Sequence, residues 1–162
     1  LEGIEAMGDL RITTRPDMCL AAFTSDTVDV FRLVDEMARR GWYVQPAFAF
    51  DNSPAHVHLS VNASNVGRED AFLEDLASAV EAAKGQDASG LPPGLEDALA
   101  GVDPAALDDE GLSRILEAAG LRDKVLPREM AGIYRALNAL PAELRERLLT
   151  AFVNGIFRPE EG

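Results

Sequence analysis

Residues 28–62, VDVFRLVDEMARRGWYVQPAFAFDNSPAHVHLSVN, decide the fold, because a helical pattern and a strand pattern follow one another within them. Residues 25–27 offer side-chain oxygens for an N-cap, apolar side chains recur at helical spacing over residues 30–38, and Gly41 ends the predicted helix. Over residues 55–62 apolar and polar side chains alternate, which is typical of a half-buried strand. This succession predicts a sheet with a helix packed against it.

The segments on either side of this stretch complete the predicted sheet. Residues 10–14 and 18–24 predict two strands joined by a turn, and residues 67–85 predict a second amphipathic helix. The nearly continuous apolar run at 18–24 predicts a central strand covered on both faces, with a small buried thiol at Cys19. The order β-β-α-β-β-α predicts an α+β fold with a small antiparallel or mixed sheet of about four strands and helices on one face.

The chain divides into three segments by composition. Residues 1–85 form the predicted α+β small domain. Residues 86–126 are acidic and punctuated by glycine and proline, which predicts an insertion with short helices near 95–100 and 110–119. Residues 127–162 predict a pair of helices that packs back on the domain as a helical C-terminal extension.

The charge of the chain excludes some partners. Among 162 residues, 28 acidic side chains outnumber 15 basic ones, which gives a net charge of −13. This charge repels phosphate backbones and anionic lipid headgroups, so nucleic-acid partners are not expected. No apolar stretch is long enough to span a membrane, and the first residues have no secretion-signal pattern. We therefore expect a cytoplasmic protein.

Three side chains are candidates for a functional site. On a strand, the spacing of His56 and His58 places both imidazoles on one face, where they can line a domain interface, stay solvated or share a metal. A pair is a weak metal signal even with Asp51 as a third ligand, so no metal site is predicted. The phenol of Tyr134 is either packed or a donor to an anion, and its spacing alone favours packing.

Familiar catalytic patterns are absent from the sequence. No serine lies in a G-x-S-x-G elbow, and Cys19 has no histidine near it in sequence, which argues against hydrolase chemistry. Neither G-x-G-x-x-G nor G-x-x-x-x-G-K-[ST] occurs, so nucleotide binding has no support.

Four segments resemble a known family. VDEMARRGWYV at 34–44, PAHVHLSVNASN at 54–65 and DAFLEDLASAVEAA at 70–83 resemble the C-terminal domain of bacterial sphingosine-1-phosphate lyases and their group II decarboxylase relatives. These are fold-type I pyridoxal-phosphate enzymes. The end, MAGIYRALNALPAELRERLLTAFVNGIF at 130–157, is similar to the closing pattern of the lyases, with Met-x-x-x-Tyr before a helix that begins Pro-Ala-Glu-Leu.

The resemblance implies a homodimeric parent whose large domain binds pyridoxal phosphate through a His-x-x-Lys motif. The two lysines here, Lys84 and Lys124, do not occur in that context, so the chain alone is expected to bind no cofactor and to be inactive. The resemblance further implies that Tyr134 reaches the active site as a catalytic residue. His56 and His58 are expected at the substrate side or at the interface with the large domain.

Three functions follow as alternatives. The resemblance to the lyases implies cleavage of a sphingoid-base phosphate, or a similar phosphorylated amino alcohol, to an aldehyde and an amine. A second possibility within the same cofactor class is the C-terminal domain of an amino-acid decarboxylase. The third is a non-enzymatic acidic α+β module that binds a protein partner through residues 86–126, and the lack of a cofactor lysine is its main support.

Overall fold

The computed structural model divides the chain into two compact units, Leu1–Ser89 and Gly90–Gly162. Each unit buries apolar side chains of its own. The residues that the structure describes are 1–84, 94–99, 102, 108–118 and 127–157.

The first unit is an α+β fold built on a four-stranded antiparallel sheet. Its described elements are α1 (Glu2–Glu5), β1 (Arg11–Thr14), β2 (Leu20–Thr24), α2 (Val30–Arg39), β3 (Gln45–Ala47), β4 (His56–Ser60), a 3-10 turn (Ala63–Asn65) and α3 (Glu69–Lys84). The strand order is β1-β2-β4-β3, which makes β2 and β4 the central strands. The predicted fold class is confirmed, and β2 lies in the middle of the sheet as its apolar sequence indicated.

The start of α2 differs in detail from the prediction. Asp29 is the N-cap, and its carboxylate accepts a hydrogen bond from the backbone N–H of Phe31 at 2.9 Å. The predicted cap, residues 25–27, instead forms a turn in which Ser25 Oγ accepts the backbone N–H of Val28 at 2.9 Å. Both segments contain good capping side chains, and only the backbone path decides which of them begins the helix.

One face of the sheet carries the core of the first unit. Phe23 on β2 and Val57 on β4 are paired across the strands and are 1% and 0% exposed. α2 contacts β3, β4 and α3, and it contributes the fully buried Leu33 and Met37, while α3 contributes Leu76. Burial of each such side chain stabilises the fold by about 1.5–3 kcal/mol, so this layer holds the sheet and the helices together.

The opposite face of the sheet is not covered by helices within the described part of the unit. Leu20 on β2 is 63% exposed, Met18 is 84% exposed, and Cys19 is also exposed. The predictions that residues 18–24 are covered on both faces and that Cys19 is a buried thiol are therefore wrong. β2 begins only at Leu20, so Cys19 lies at the end of the sheet, and the helices cover only the face that carries the buried side chains.

Trp42, which lies shortly before β3, packs against the N-terminal half of α3. Its indole Nε1–H donates to Asp75 Oδ2 at 2.7 Å, and its ring meets Phe72 edge to face with centroids 5.2 Å apart. The guanidinium of Arg68 lies 5.0 Å from the centroid of the indole ring. The indole therefore makes apolar and hydrogen-bonded contacts to α3 and a cation–π contact to Arg68, the residue that precedes this helix.

We expect Trp42→Phe to lower the free energy of unfolding by about 1–2 kcal/mol, because the aromatic packing is kept while the hydrogen bond to the Asp75 carboxylate is lost. Chemical denaturation followed by circular dichroism measures the change. Tyr43→Phe is the matched control, since Tyr43 is 88% exposed, and a surface change of this kind is expected to cost less than about 0.5 kcal/mol. Equal stability of the two variants would contradict the role given to Trp42.

The second unit is helical in its described residues. Its elements are α4 (Leu95–Leu99), α5 (Asp109–Ala118), α6 (Ala131–Ala139) and α7 (Ala142–Phe157). The first two correspond to the short helices predicted at 95–100 and 110–119. None of the helices in the described ranges of the chain combines the length and the apolar character that crossing a lipid bilayer requires.

A cluster of buried apolar side chains forms the core of the second unit. Its members are Leu95, Ile115, Ile133, Ala136, Leu144 and Leu148. The sequence predicted a boundary between residues 126 and 127. The cluster contains residues of α4 and α5 before that boundary and of α6 and α7 after it, so the four helices share one core. The predicted packing of residues 127–162 on the small domain stays a prediction.

Candidate functional site

The exposed face of the sheet carries an open concavity of about 660 Å³. The register explains its shape, because the small side chain of Ala22 on β2 lies opposite His58 on the same face and forms a low floor. Arg11 and Thr13 of β1 line one side, and His56 and His58 of β4 line the other. The sheet thus brings the two predicted histidines into one pocket with both polar and apolar lining residues.

The two imidazoles are in direct contact. His56 Nε2 lies 2.9 Å from His58 Nε2, and His56 Nδ1 lies 2.8 Å from the backbone oxygen of Pro54. A carbonyl oxygen only accepts hydrogen bonds, so His56 Nδ1 carries a proton and donates it. In the neutral ring the lone pair of His56 is therefore on Nε2, and His58 must donate its own Nε2–H to it.

The surroundings of His58 favour its uncharged form. Burial lowers the pKa of His58 below its ordinary value of 6.5, and the nearby His56 lowers that pKa further. At pH 7 His58 is therefore mainly neutral.

Tyr134 lies in the second unit. It belongs to α6, its backbone N–H donates to the carbonyl of Met130 at 2.9 Å, and its side chain is half-buried. The neighbouring Ile133 and Ala136 are buried in the core cluster. His56 and His58 belong to the first unit, and the roles predicted for all three residues stay predictions.

Lys84 does not fit a lysine that holds pyridoxal phosphate. Its Nζ lies 2.7 Å from Asp9 Oδ2 and 2.8 Å from Glu81 Oε1. The hydrogen bond to Asp9 raises the pKa of Lys84 above its ordinary value of 10.5, and the hydrogen bond to Glu81 raises it further. A lysine that reacts with a carbonyl group must lose its proton, which requires the opposite shift. Lys124 lies outside the described residues.

Metal ligands are sparse in the parts of the chain that the structure describes. No group of three or more His, Cys, Asp or Glu side chains there is arranged to hold an ion. Asp51, considered as a third ligand from the sequence, is not among the residues that line the pocket.

Arg11, Thr13 and Asn52 also line the pocket, and the sequence did not single them out. Arg11 forms an exposed ion pair with Asp26 at 3.6 Å. The register of β1 against β2 is irregular between Ile12 and Thr14, so alternation along β1 does not reveal which of its side chains share the face with the histidines. For Asn52 the sequence did offer a signal, because the polar loop at 51–53 lies shortly before β4, the strand that carries both histidines.

Part of the chain matches the sequence model of a known protein family. Residues 93–155 match the sequence model of the family described as "Pyridoxal-dependent enzyme, C-terminal putative HTH domain". This match runs without interruption across the predicted boundary at 126/127.

The curated relatives are sphingosine-1-phosphate lyases. That of Arabidopsis thaliana is 33% identical over 95 residues, which cover 57% of this chain and 17% of the relative. That of Oryza sativa subsp. japonica is 33% identical over 82 residues, covering 51% and 14%. That of Dictyostelium discoideum is 29% identical over 93 residues, covering 57% and 16%. The chain thus spans less than a fifth of the length of these relatives.

A solved structure gives a similar match. The sphingosine-1-phosphate lyase of Burkholderia pseudomallei K96243 is 30% identical, with 51% of this chain and 18% of that chain covered and a TM-score of 0.45. The family recognised from the sequence is confirmed by the family model and the curated relatives. Residues 93–155 therefore match the C-terminal domain family of pyridoxal-dependent enzymes, and the chain is similar to a part of known sphingosine-1-phosphate lyases.

Proposed function

We propose that the chain is the C-terminal part of a carbon–carbon lyase that cleaves a sphingoid-base phosphate, or a similar phosphorylated amino alcohol, to an aldehyde and an amine. The observation that carries this proposal is the 33% identity to a sphingosine-1-phosphate lyase over 95 residues. The parent is proposed to be a cytoplasmic homodimer, in keeping with the expectations from the sequence.

The cofactor of the parent is proposed to lie in its large domain, outside this chain. The ion pairs of Lys84 support this proposal, since they hold its amine in the charged form. In pyridoxal enzymes the cofactor supplies the electron sink, while the protein supplies binding and orientation. Of the residues here, Tyr134 is proposed to contribute a hydroxyl group to that active site.

An amino-acid decarboxylase is the second candidate. The description of the matched family names a pyridoxal-dependent enzyme without a reaction, so the match at residues 93–155 suits both chemistries. The two differ in the group that the substrate must carry, a phosphate for the lyase and a carboxylate for the decarboxylase.

The experiment is a substrate comparison with the parent enzyme, expressed from the whole reading frame that contains this chain. Sphingosine 1-phosphate and a panel of amino acids are supplied separately, and long-chain aldehyde and carbon dioxide are measured. Aldehyde release from the phosphorylated base supports the proposal. Release of carbon dioxide from an amino acid without aldehyde formation supports the decarboxylase, and the absence of both products contradicts both enzymes.

A further inference from the structure

The contact between the two imidazoles has an unusual geometry for a hydrogen bond. The Nε2 atoms are 2.9 Å apart, while the ring centroids are 4.7 Å apart and the ring planes are inclined by 59°. In a straight N–H···N bond both ring centroids lie on the line through the two nitrogens. Their separation would then be 2.9 Å plus the centroid-to-nitrogen distance of each ring, which exceeds the observed 4.7 Å. The lone-pair axis of at least one of the two nitrogen atoms is therefore tilted away from the line that joins them.

Such a tilt suits a third atom that is shared by both nitrogens. With metal–nitrogen bonds of about 2.0–2.1 Å, two nitrogens separated as in this pair span an angle of about 90° at the metal. A tetrahedral ion requires a wider angle, whereas right angles are the geometry of square-planar or tetragonal Cu²⁺ and Ni²⁺.

The backbone already orients one of the rings. Pro54 accepts the Nδ1–H of His56 and leaves the lone pair on Nε2, which is the nitrogen that faces His58. In metal sites the ligating histidine almost always donates its other N–H to a carbonyl or carboxylate, which fixes the tautomer and the ring orientation. His56 has this arrangement before any ion is bound, whereas His58 must lose its Nε2 proton to solvent and carry a proton on Nδ1 instead when the ion binds.

We propose that His56 and His58 form a two-histidine chelating site for a divalent late first-row transition metal, with Cu²⁺ bound most tightly. Imidazole nitrogens suit this class of ion, and affinity within it peaks at Cu²⁺. The remaining positions are taken by water, since the described residues offer no third His, Cys, Asp or Glu. The site is distinct from the proposed lyase chemistry, which makes no use of a metal ion.

The surrounding charges have opposing effects on such an ion. Arg11 lines the same pocket and repels a cation, but its guanidinium is paired with Asp26 at 3.6 Å. The chain as a whole carries a net charge of −13, which attracts cations to its surface. Exposed carboxylates also bind Cu²⁺ weakly, so the test must separate imidazole nitrogen from oxygen ligands.

The experiment uses the full 162-residue chain with Cys19→Ser, because the exposed thiol of Cys19 reacts with Cu²⁺. One equivalent of Cu²⁺ is added, the electron paramagnetic resonance spectrum is recorded, and affinity is measured by calorimetry. The chain contains two histidines, so every imidazole nitrogen in the spectrum comes from this pair. We expect hyperfine structure from two equivalent nitrogens.

Single variants and a control complete the test. Mutating a residue that only hydrogen-bonds to a metal-binding side chain already lowers metal affinity by about 10- to 100-fold. His56→Gln and His58→Gln each remove a metal-binding side chain itself, so each is expected to weaken Cu²⁺ binding by at least about tenfold. Each should leave one imidazole nitrogen in the spectrum. Gln45→Ala removes the residue paired with His58 on β3 and should keep both nitrogens.

Two results would overturn the site. One is a Cu²⁺ spectrum of the 162-residue Cys19→Ser chain that shows fewer than two imidazole nitrogens. The other is an unchanged affinity in a His56→Gln, His58→Gln double variant, which would assign the binding to carboxylates. Far-UV circular dichroism verifies that each variant is folded, and neither result bears on whether the parent enzyme is a lyase.

Discussion

Tyr134→Phe in the parent enzyme is expected to lower kcat by about 10²- to 10⁴-fold, the range that a positioned proton donor or acceptor contributes. The substitution removes only the phenolic oxygen. Tyr134 is half-buried on α6 between the core residues Ile133 and Ala136, so the ring of phenylalanine preserves the packing. The proposed place of this tyrosine in the active site rests on the resemblance of the Met-x-x-x-Tyr segment to the lyases.

The measurement is steady-state turnover of sphingosine 1-phosphate, together with the visible absorbance of the bound cofactor. The absorbance is expected to stay unchanged, because Tyr134 is not proposed to hold the cofactor. Tyr43→Phe is the matched control, since the chain has two tyrosines and Tyr43 is 88% exposed. Turnover of Tyr134→Phe at the level of this control would return Tyr134 to a packing role.

Glu36→Ala is expected to lower the free energy of unfolding of the first unit. The side chain of Glu36 is 5% exposed, and its carboxylate accepts a hydrogen bond from Arg40 at 2.8 Å and pairs with Arg39 and with Arg32, the last at 3.8 Å. Truncation removes the shared carboxylate while the side chain of Arg32 stays 14% exposed. Because the arginine partners remain partly exposed to solvent, the expected cost is about 1.5–3 kcal/mol, the range for hydrogen bonds to charged groups.

Glu5→Ala is the control for this prediction. Glu5 pairs with Arg15 at 3.2 Å, but the arginine side chain is 73% exposed and the glutamate 37% exposed. Exposed pairs contribute about 0–1 kcal/mol. Urea denaturation of both variants compares the two losses in the free energy of unfolding. A loss in Glu36→Ala no greater than that in Glu5→Ala would show that the pairs of Glu36 with its three arginines do not stabilise the first unit.

Much of the first unit was predictable because its periodicity is strong. The alternation at 55–62 placed His56 and His58 on one face, and the structure confirms this with Val57 buried on the other. Burial of the run at 18–24 was not predictable in the same way. An apolar sequence shows that a strand is suited to a sheet interior, but it does not show on which side the helices lie.

The second unit shows a different limit. Glycine and proline at 90–104 break the periodicity, so residues 86–126 were interpreted as an insertion. Leu95 and Ile115 nevertheless share a core with Ile133 and Leu148, which are distant in sequence. Helical spacing reports which face of a helix is apolar, but not which distant helix covers it.

The geometry of the histidine pair was also beyond the sequence. The i, i+2 spacing of His56 and His58 predicts a shared face, whereas the 2.9 Å contact depends on side-chain rotamers and on the carbonyl of Pro54. The identity of the neighbours on β1 depends on its irregular register. These details arise only from the folded backbone.

The visible absorption spectrum of the parent enzyme with Lys84→Met and Lys124→Met tests the central claim most directly. If this chain is the C-terminal part of a pyridoxal-dependent enzyme whose cofactor lysine lies elsewhere, the purified double variant keeps the absorbance of lysine-bound pyridoxal phosphate at the level of the unmodified parent. Loss of that absorbance in a folded double variant would place the cofactor lysine in this chain and contradict the account.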